Sequence, residues 1–126
     1  MKNIITTSSA PAPIGPYNQG VLCGNTLYTS GQIAINPATN ALVLEDIKVE
    51  TKQVMQNLQA VLKTANMTFD NVVKASIFIK NMDDFEKINA IYASYFNNIT
   101  APARETVQVA RLPKDVNVEI SVIAVK

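Results

Sequence analysis

A change of hydrophobic period near the middle of the chain constrains its fold most. Between Ile47 and Asn66, apolar residues recur at the spacing of one helical face. That stripe consists of Val54, Leu58, Val61, Leu62 and Ala65. From Val72 to Lys80 the period becomes two, with an apolar side made of Val73, Ala75, Ile77 and Ile79. A long amphipathic helix followed by a half-buried strand indicates a domain in which helices pack against a sheet.

Turn signals and a second helical pattern flank this pair of elements. Gly24-Asn25 separates two short apolar runs and predicts a hairpin, and residues 36–40 separate two further runs in the same way. Asp83 or Asp84 can cap a second helix, because a carboxylate accepts hydrogen bonds from its free N–H groups. The apolar stripe of that helix is Phe85, Ile88, Tyr92, Tyr95 and Phe96. The predicted closing strands are Arg104–Ala110 and Val116–Val125.

This order of elements predicts an α+β fold, with a mostly antiparallel sheet and two helices packed on one face. Because 126 residues suffice for one core and nothing resembles a linker, residues 1–126 are predicted to form a single domain. The last strand carries apolar residues on both faces, since Ile123 and Val125 lie opposite its main apolar side. Two helices cover only one face, so we expect another subunit to cover the second.

Composition excludes several classes of function. The absence of histidine excludes a Ser-His-Asp triad, an imidazole base and histidine metal ligands, and the single Cys23 excludes an internal disulfide. Eleven Lys and Arg against ten Asp and Glu give a net charge of +1, which argues against a dedicated nucleic-acid binder. No apolar run is long enough for a membrane span or a secretion signal, so a cytoplasmic protein is predicted.

Arg104 and Glu119 are the main candidates for chemistry. Arg104 opens one closing strand, and Glu119 lies inside the strand expected to pair with it. If residue 108 lies opposite residue 119, then Arg104, Thr106 and Glu119 share one face. Arg104 would then bind a carboxylate, while Glu119 would handle a proton or position water. A cross-strand salt bridge at an interface is the alternative, and spacing alone does not separate the two.

Weaker candidates lie on turns and at a helix boundary. Tyr17 can offer a ring and a hydroxyl to a small ligand, or it can pack within a turn. Ser30 and Gly31 can present backbone N–H groups to an anion, or they can simply end a strand. Asn89 lies one residue off the stripe of the second helix, where it is either a ligand contact or a solvated amide.

Three ordered motifs give these candidates a common setting. They are Gly15–Gln19, Thr29–Ile33, and Pro102–Arg104 together with Val118–Ile120. With them, and with the loop Ala110–Asp115, the chain resembles the RidA family (also called YjgF or L-PSP) over essentially its whole length. Members of that family are reactive-intermediate deaminases. The resemblance implies a chorismate-mutase-like fold, a homotrimer, and ligand sites in the clefts between subunits.

The same resemblance implies roles for the candidate residues. Arg104 would grip the carboxylate of a 2-imino acid, and Glu119 would orient or activate the attacking water. The other pocket residues would be Ser30, Gly31, Tyr17 and Asn89. The implied activity is that of a 2-iminobutanoate/2-iminopropanoate deaminase, which yields a 2-oxo acid and ammonia without a metal or a cofactor. An iminium carbon is already electrophilic, so one positioned water and a fixed carboxylate suffice.

The chain departs from the family pattern at three positions. Asn18 stands where Ser is common, and Thr106 stands where many members carry Cys, although its backbone carbonyl could still hold water. Glu105 replaces a residue that is usually small. Alternation along the strand directs Glu105 away from the face of Arg104, so it leaves the guanidinium free. These departures concern substrate preference more than the fold.

Two other functions compete with the deaminase. A non-enzymatic trimer could bind a 2-oxo acid in the same pocket and act as a sensor or regulator. Turnover of a freshly generated imino acid would distinguish an enzyme from such a sensor, whereas binding of the 2-oxo acid would not. RNA cleavage, which the older L-PSP endoribonuclease name implies, is disfavoured by the near-neutral charge and by the lack of histidine and of a basic run.

Overall fold

The computed structural model describes all 126 residues. The helices are α1 (Ile47–Thr64) and α2 (Phe85–Ala93). The strands are β1 (Lys2–Ile5), β2 (Gly20–Cys23), β3 (Thr26–Thr29), β4 (Val72–Ile79), β5 (Ala103–Gln108) and β6 (Val118–Val125). They form one six-stranded sheet in the order β1-β2-β3-β6-β4-β5. All neighbouring strands are antiparallel except β4 and β5, so the two helices pack on a mixed sheet and the α+β class is confirmed.

Helix α1 forms as its hydrophobic period predicts. Asp46 caps it, because the side chain accepts hydrogen bonds from the backbone N–H groups of Lys48 and Val49. Val54, Leu58, Val61 and Leu62 are fully buried against the sheet. They belong to a core of 22 residues that lies between the helices and one sheet face. No helix in the structure is both long and apolar enough to cross a membrane.

Strand β4 buries the predicted side except at its beginning. Ala75, Ile77 and Ile79 are at most 1% exposed, but Val73 is 49% exposed. A bulge between Val72 and Lys74 shifts the register, so that Val72 rather than Val73 enters the core. The placement of Val73 on the apolar side was therefore wrong.

The predicted pairing of the two closing strands is also wrong. Strand β4 lies between β5 and β6, so Gln108 pairs with Ile79 whereas Glu119 pairs with Phe78. The reason is the β4–α2–β5 connection, in which a helix carries the chain back to the same end of the sheet and the next strand runs parallel to the first. Strand β5 is consequently an edge strand with β4 as its one neighbour.

Helix α2 begins and ends differently from the prediction. Asp84 stands at its N-cap without a side-chain hydrogen bond, and Asn81 instead caps the short turn that precedes the helix. The helix ends at Ala93, so Tyr95 and Phe96 lie beyond it. Their rings pack on the ring of Phe69, with centroids 5.1 and 5.3 Å away.

One predicted hairpin forms fully and the other does not. Strands β2 and β3 pair around Gly24, whose φ of 60° suits a tight turn. The runs around residues 36–40 meet in a single bridge between Ile35 and Leu42. The buried amide of Asn57 donates to the carbonyls of Ile33 and Ile35, so helix α1 supplies bonds that a longer ladder would otherwise provide.

The sheet face away from the helices is rich in exposed apolar side chains. Register places Tyr28 opposite Ile123 on this face, and Phe78 opposite Glu119. Other apolar residues here are Ile4, Val107 and Val125, which are 46%, 40% and 37% exposed. We refer to this surface as the open face. It has the character that the sequence of β6 predicts, with apolar residues beside Glu119 and Ser121.

Candidate functional site

A cleft of about 460 Å³ lies beside the end of β3 and the beginning of β6. Two reciprocal backbone hydrogen bonds between Gln32 and Ile120, of 2.8 and 3.1 Å, hold these segments together. Four predicted site residues line the cleft, namely Tyr17, Ser30, Gly31 and Glu119. The volume is in the range of small-molecule sites, and we refer to this site as the cleft.

Gly31 is packed directly against Glu119. A Cβ atom at position 31 would lie 2.7 Å from the Glu119 Cδ, so a larger residue would displace the carboxylate. Neither the backbone N–H nor the carbonyl of Gly31 takes part in a hydrogen bond within the chain. The cleft therefore presents a free backbone donor beside a carboxylate, which fits the predicted backbone role of Gly31.

Glu119 is a partly buried carboxylate without a partner. Its side chain makes no hydrogen bond and no ion pair. Burial raises the pKa of the Glu119 carboxyl. A carboxylate that is poorly solvated and unpaired is a stronger proton acceptor than one in water, which suits a general base.

The wall formed by the N-terminal segment is fixed by Gln19, a residue that the sequence left without a role. Gln19 is 2% exposed, and its Nε2 donates to the carbonyls of Thr7, Ala10 and Pro11. Its Oε1 accepts from the Thr7 N–H at 2.7 Å. Ser30 adds a second tie, since its Oγ donates to the Asn18 carbonyl at 2.5 Å. This segment carries Tyr17, whose ring and hydroxyl remain half exposed in the cleft.

A second cluster surrounds Arg104 on the helix side of the sheet. The Arg104 Nη1 donates to the Asn89 Oδ1 at 2.6 Å. The guanidinium carbon lies 5.6 Å from the ring centre of Phe85 and 5.1 Å from that of Tyr92, which are cation–π distances. Arg104 forms no ion pair, so helix α2 holds the cation while leaving it free to bind an anion. We call these four residues the arginine cluster.

Two hydroxyls on this side of the sheet lack partners. Thr106 lies on the same strand face as Arg104 because it follows it by two residues. The Thr106 Oγ1 and the Tyr92 hydroxyl are both buried and make no hydrogen bond within the chain. Burial raises the pKa of Tyr92, and the nearby charge of Arg104 partly opposes this shift.

Within one copy of the chain, the cleft and the arginine cluster are separate. Arg104 pairs in register with buried Ala75 and faces the helices, whereas Glu119 pairs with Phe78 and faces the open side. The prediction that Arg104, Thr106 and Glu119 share one face was therefore wrong for Glu119. It failed because it assumed that β5 and β6 are neighbours, when β4 separates them.

Glu105 is directed away from Arg104, as alternation predicts. On the open face its carboxylate lies 2.7 Å from the Lys74 Nζ and also accepts a hydrogen bond from the Ser76 hydroxyl. These hydrogen bonds from Lys74 and Ser76 lower the pKa of Glu105. Glu105 is thus satisfied by β4 and does not neutralise the arginine cluster.

Sequence reasoning missed several residues of these two sites. Phe85 and Tyr92 were assigned to the apolar stripe of the second helix, on the same helix face as Ile88. Their contact with the Arg104 guanidinium was not predicted. Lys114 lines the cleft, and it was placed only within the loop Ala110–Asp115, without a role of its own. No group of three or more Asp, Glu or Cys side chains lies close enough to share a metal ion.

Comparisons with known proteins agree on one family. The family model described as Endoribonuclease L-PSP matches residues 7–126. A RutC family protein from Synechocystis sp. is 53% identical over 123 residues, which cover 97% of this chain and 95% of that protein. The 2-iminobutanoate/2-iminopropanoate deaminase of Escherichia coli is 45% identical over 128 residues, covering 100% and 99%. The crystal structure of YyfA, a conserved Rid family protein from Yersinia pestis, superposes with a TM-score of 0.97 at 48% identity and covers 100% of both chains.

Proposed function

The chain belongs to the L-PSP, or Rid, family, and we propose that it is a deaminase that hydrolyses 2-iminobutanoate, 2-iminopropanoate and related 2-imino acids. The observation that carries this proposal is the chemistry of the two separate clusters. In the arginine cluster, the Arg104 guanidinium has no anionic partner. In the cleft, the Glu119 carboxylate has no hydrogen-bond donor. A small 2-imino acid carries an anionic group for the first and an electrophilic carbon for the second.

A complete site then requires two copies of the chain. Arg104 and Glu119 lie on opposite faces of one sheet, so they reach the same small substrate only when they come from different copies. The exposed apolar side chains of the open face supply a surface for contacts between copies. Lys74 and Glu105 neutralise each other on this face, so they add no net charge to that surface. We infer a homotrimer in which the edge strand β5 of one copy lies beside the cleft of the next.

Binding would be directed by the arginine cluster. The planar guanidinium forms two parallel hydrogen bonds with a carboxylate, and Asn89 fixes one end of that plane. This orients the imine carbon toward the cleft of the neighbouring copy. The Tyr17 hydroxyl and the free Gly31 N–H would line the other side of the bound molecule.

Hydrolysis would follow from proton transfer at Glu119. The Glu119 carboxylate accepts a proton from a water molecule, whose oxygen forms a bond to the imine carbon while the C=N electron pair moves to nitrogen. In the resulting tetrahedral adduct, Glu119 returns the proton to nitrogen. The C–N bond then breaks with its electron pair leaving on nitrogen as ammonia, while the adduct hydroxyl gives its proton to the Glu119 carboxylate and its oxygen forms the new C=O bond. That proton passes from Glu119 to the solvent, which restores the carboxylate. One imino acid and one water yield one 2-oxo acid and one ammonia. No metal is needed because the iminium carbon is already electrophilic.

A coupled assay tests this proposal. An amino-acid oxidase or threonine dehydratase generates the imino acid in the presence of semicarbazide, which traps whatever imine remains. The protein should reduce the amount of trapped imine in proportion to its concentration. If a folded, oligomeric preparation does not accelerate imine loss but binds 2-oxobutanoate by calorimetry, the deaminase is refuted in favour of a sensor. Cleavage of RNA by the same preparation, with affinity falling steeply with salt, would instead support the activity in the family's name.

A further inference from the structure

Lys114 is the one cationic side chain of the cleft. Among the residues that line this site, only Lys114 and Glu119 are charged. Lys114 forms no ion pair, so its ammonium group is farther than 4 Å from the Glu119 carboxylate and from every other carboxylate. The cleft is therefore lined by a cationic residue that the protein itself leaves without a counter-charge.

The loop that carries Lys114 is held in an unusual backbone conformation. Lys114 and Asp115 have φ values of 54° and 57°, in the left-handed region that residues with a side chain rarely occupy. Leu112 and Val116, on either side, are 7% and 0% exposed and anchor the loop in the protein. Strain of this kind persists where the surrounding structure imposes it.

The other charges of the loop are already neutralised. The Asp115 Oδ1 lies 3.5 Å from the Lys80 Nζ and 3.6 Å from the Arg111 Nε. The Asp115 carboxylate thus contacts Lys80 and Arg111 and forms no ion pair with its neighbour Lys114. The next anchor is Asn117, whose backbone N–H and side-chain amide donate to the buried Glu50 carboxylate at 2.8 and 2.7 Å. The loop is thus fixed at four points while Lys114 stays free in the cleft.

We propose that Lys114 binds a second, distal carboxylate of the substrate, so that dicarboxylic 2-imino acids are preferred over monocarboxylic ones of the same length. This inference rests on the proposed function, in which Arg104 of a neighbouring copy binds the carboxylate next to the imine. The cleft of about 460 Å³ leaves room for a substrate longer than a four-carbon acid. A lysine suits the task, since its flexible stem lets a compact charge follow chains of different length.

The test compares two imino acids of equal chain length. Glutamate oxidase generates 2-iminoglutarate from glutamate, and an amino-acid oxidase generates 2-iminopentanoate from norvaline. The wild-type protein should show a higher kcat/KM for 2-iminoglutarate. In Lys114→Met the ratio of the two kcat/KM values should fall about tenfold or more, because a charge-assisted contact is lost. Lys114→Arg should retain most of the preference.

A matched variant and a binding measurement complete the design. Lys52→Met removes an exposed lysine on α1 that does not line the cleft, and it should keep the wild-type ratio. Calorimetry should show that the wild-type protein binds 2-oxoglutarate more tightly than 2-oxopentanoate. This measurement does not depend on turnover. Hydrolysis of 2-iminopentanoate without any preference for 2-iminoglutarate would overturn the role of Lys114 and leave the deaminase intact. Absence of turnover, with a Lys114-dependent preference in binding, would overturn the deaminase alone.

Discussion

At the scale of single residues, Arg104 and Glu119 are kept chemically available by different means. Helix α2 holds Arg104 with one amide and two aromatic rings, none of which cancels its charge. Burial partly withdraws Glu119 from water and raises its pKa, and no donor lies within hydrogen-bond distance of its carboxylate. The two groups therefore suit different tasks, one as a fixed cation for a carboxylate and the other as a base.

Replacement of Arg104 tests the first task. Arg104→Ala should lower kcat/KM for 2-iminobutanoate by about 10²-fold or more, since it removes roughly 3 kcal/mol of charge-assisted contact at about 1.4 kcal/mol per decade. Arg104→Lys should also be poor, because an ammonium group lacks the planar fork. Arg111→Lys is the matched control at the only other arginine, and it should change kcat/KM less than about twofold. Wild-type kinetics in Arg104→Ala would rule out the carboxylate contact.

Replacement of Glu119 tests the second task through pH. Because the base must be ionised, kcat/KM should fall at low pH with a midpoint above the ordinary glutamate value of about 4.3. Glu119→Gln should lower kcat/KM by about 10²-fold or more and abolish this acidic limb. A full acidic limb in Glu119→Gln would assign the titration to another group.

The same substitution has a consequence for stability. A carboxyl whose pKa is higher in the folded chain holds its proton longer there, so stability falls as pH rises between the unfolded and folded values. Glu119→Gln removes this loss. Its melting temperature relative to the wild type should therefore be higher near pH 7 than near pH 4. A constant difference across this range would contradict the desolvation of Glu119.

At the scale of elements, local signals predicted most of the structure and strand pairing accounts for the main error. The helical period of Ile47–Asn66 and the strand period after it reappear as α1 and β4, because each depends on residues near in sequence. The neighbours of β5 depend instead on how the chain crosses the sheet. A strand, a helix and a second strand in succession are the signature of a parallel pair, which would have placed β5 beside β4.

The error in pairing decided how much of the site could be predicted. One pocket was expected to hold Tyr17, Ser30, Gly31, Asn89, Arg104 and Glu119. Tyr17, Ser30, Gly31 and Glu119 line one cleft, whereas Asn89 lies against Arg104 in the other cluster. Arg104 was expected on the face of Glu119 and lies on the other. Lys114 lacks a counter-charge because its loop has a left-handed backbone and because Asp115 contacts other cations. No residue pattern in the sequence predicts either feature.

A core substitution tests the packing of α1. Leu58 is fully buried, so Leu58→Ala should lower the free energy of unfolding by about 2–5 kcal/mol through lost transfer energy and a residual cavity. Ile99, which is 92% exposed, is the control, and Ile99→Ala should stay within about 0.5 kcal/mol. Urea denaturation at a fixed protein concentration measures both. An unchanged midpoint for Leu58→Ala would mean that α1 is not packed as described.

At the scale of the whole molecule, the open face supports the proposal that one copy holds only part of a site. It combines exposed apolar side chains with a neutralised Lys74–Glu105 pair, and it displays Glu119 at the cleft. Arg104 lies on the edge strand at the end of the sheet and faces the opposite way. Alternation along β6 already predicted a covered second face, but only the position of β4 shows that the two charged residues are divided between the faces.

Complementation between two inactive variants tests the central claim most directly. Arg104→Ala and Glu119→Gln are mixed in equal amounts, unfolded together and refolded, with a mass tag on one variant to confirm mixed oligomers. If each site takes Arg104 from one copy and Glu119 from another, about a quarter of the sites regain both residues, and about a quarter of the wild-type activity should return. Each variant refolded alone should stay inactive, and wild type carried through the same cycle sets the reference. Mixed oligomers no more active than the separately refolded variants would contradict a site shared between copies.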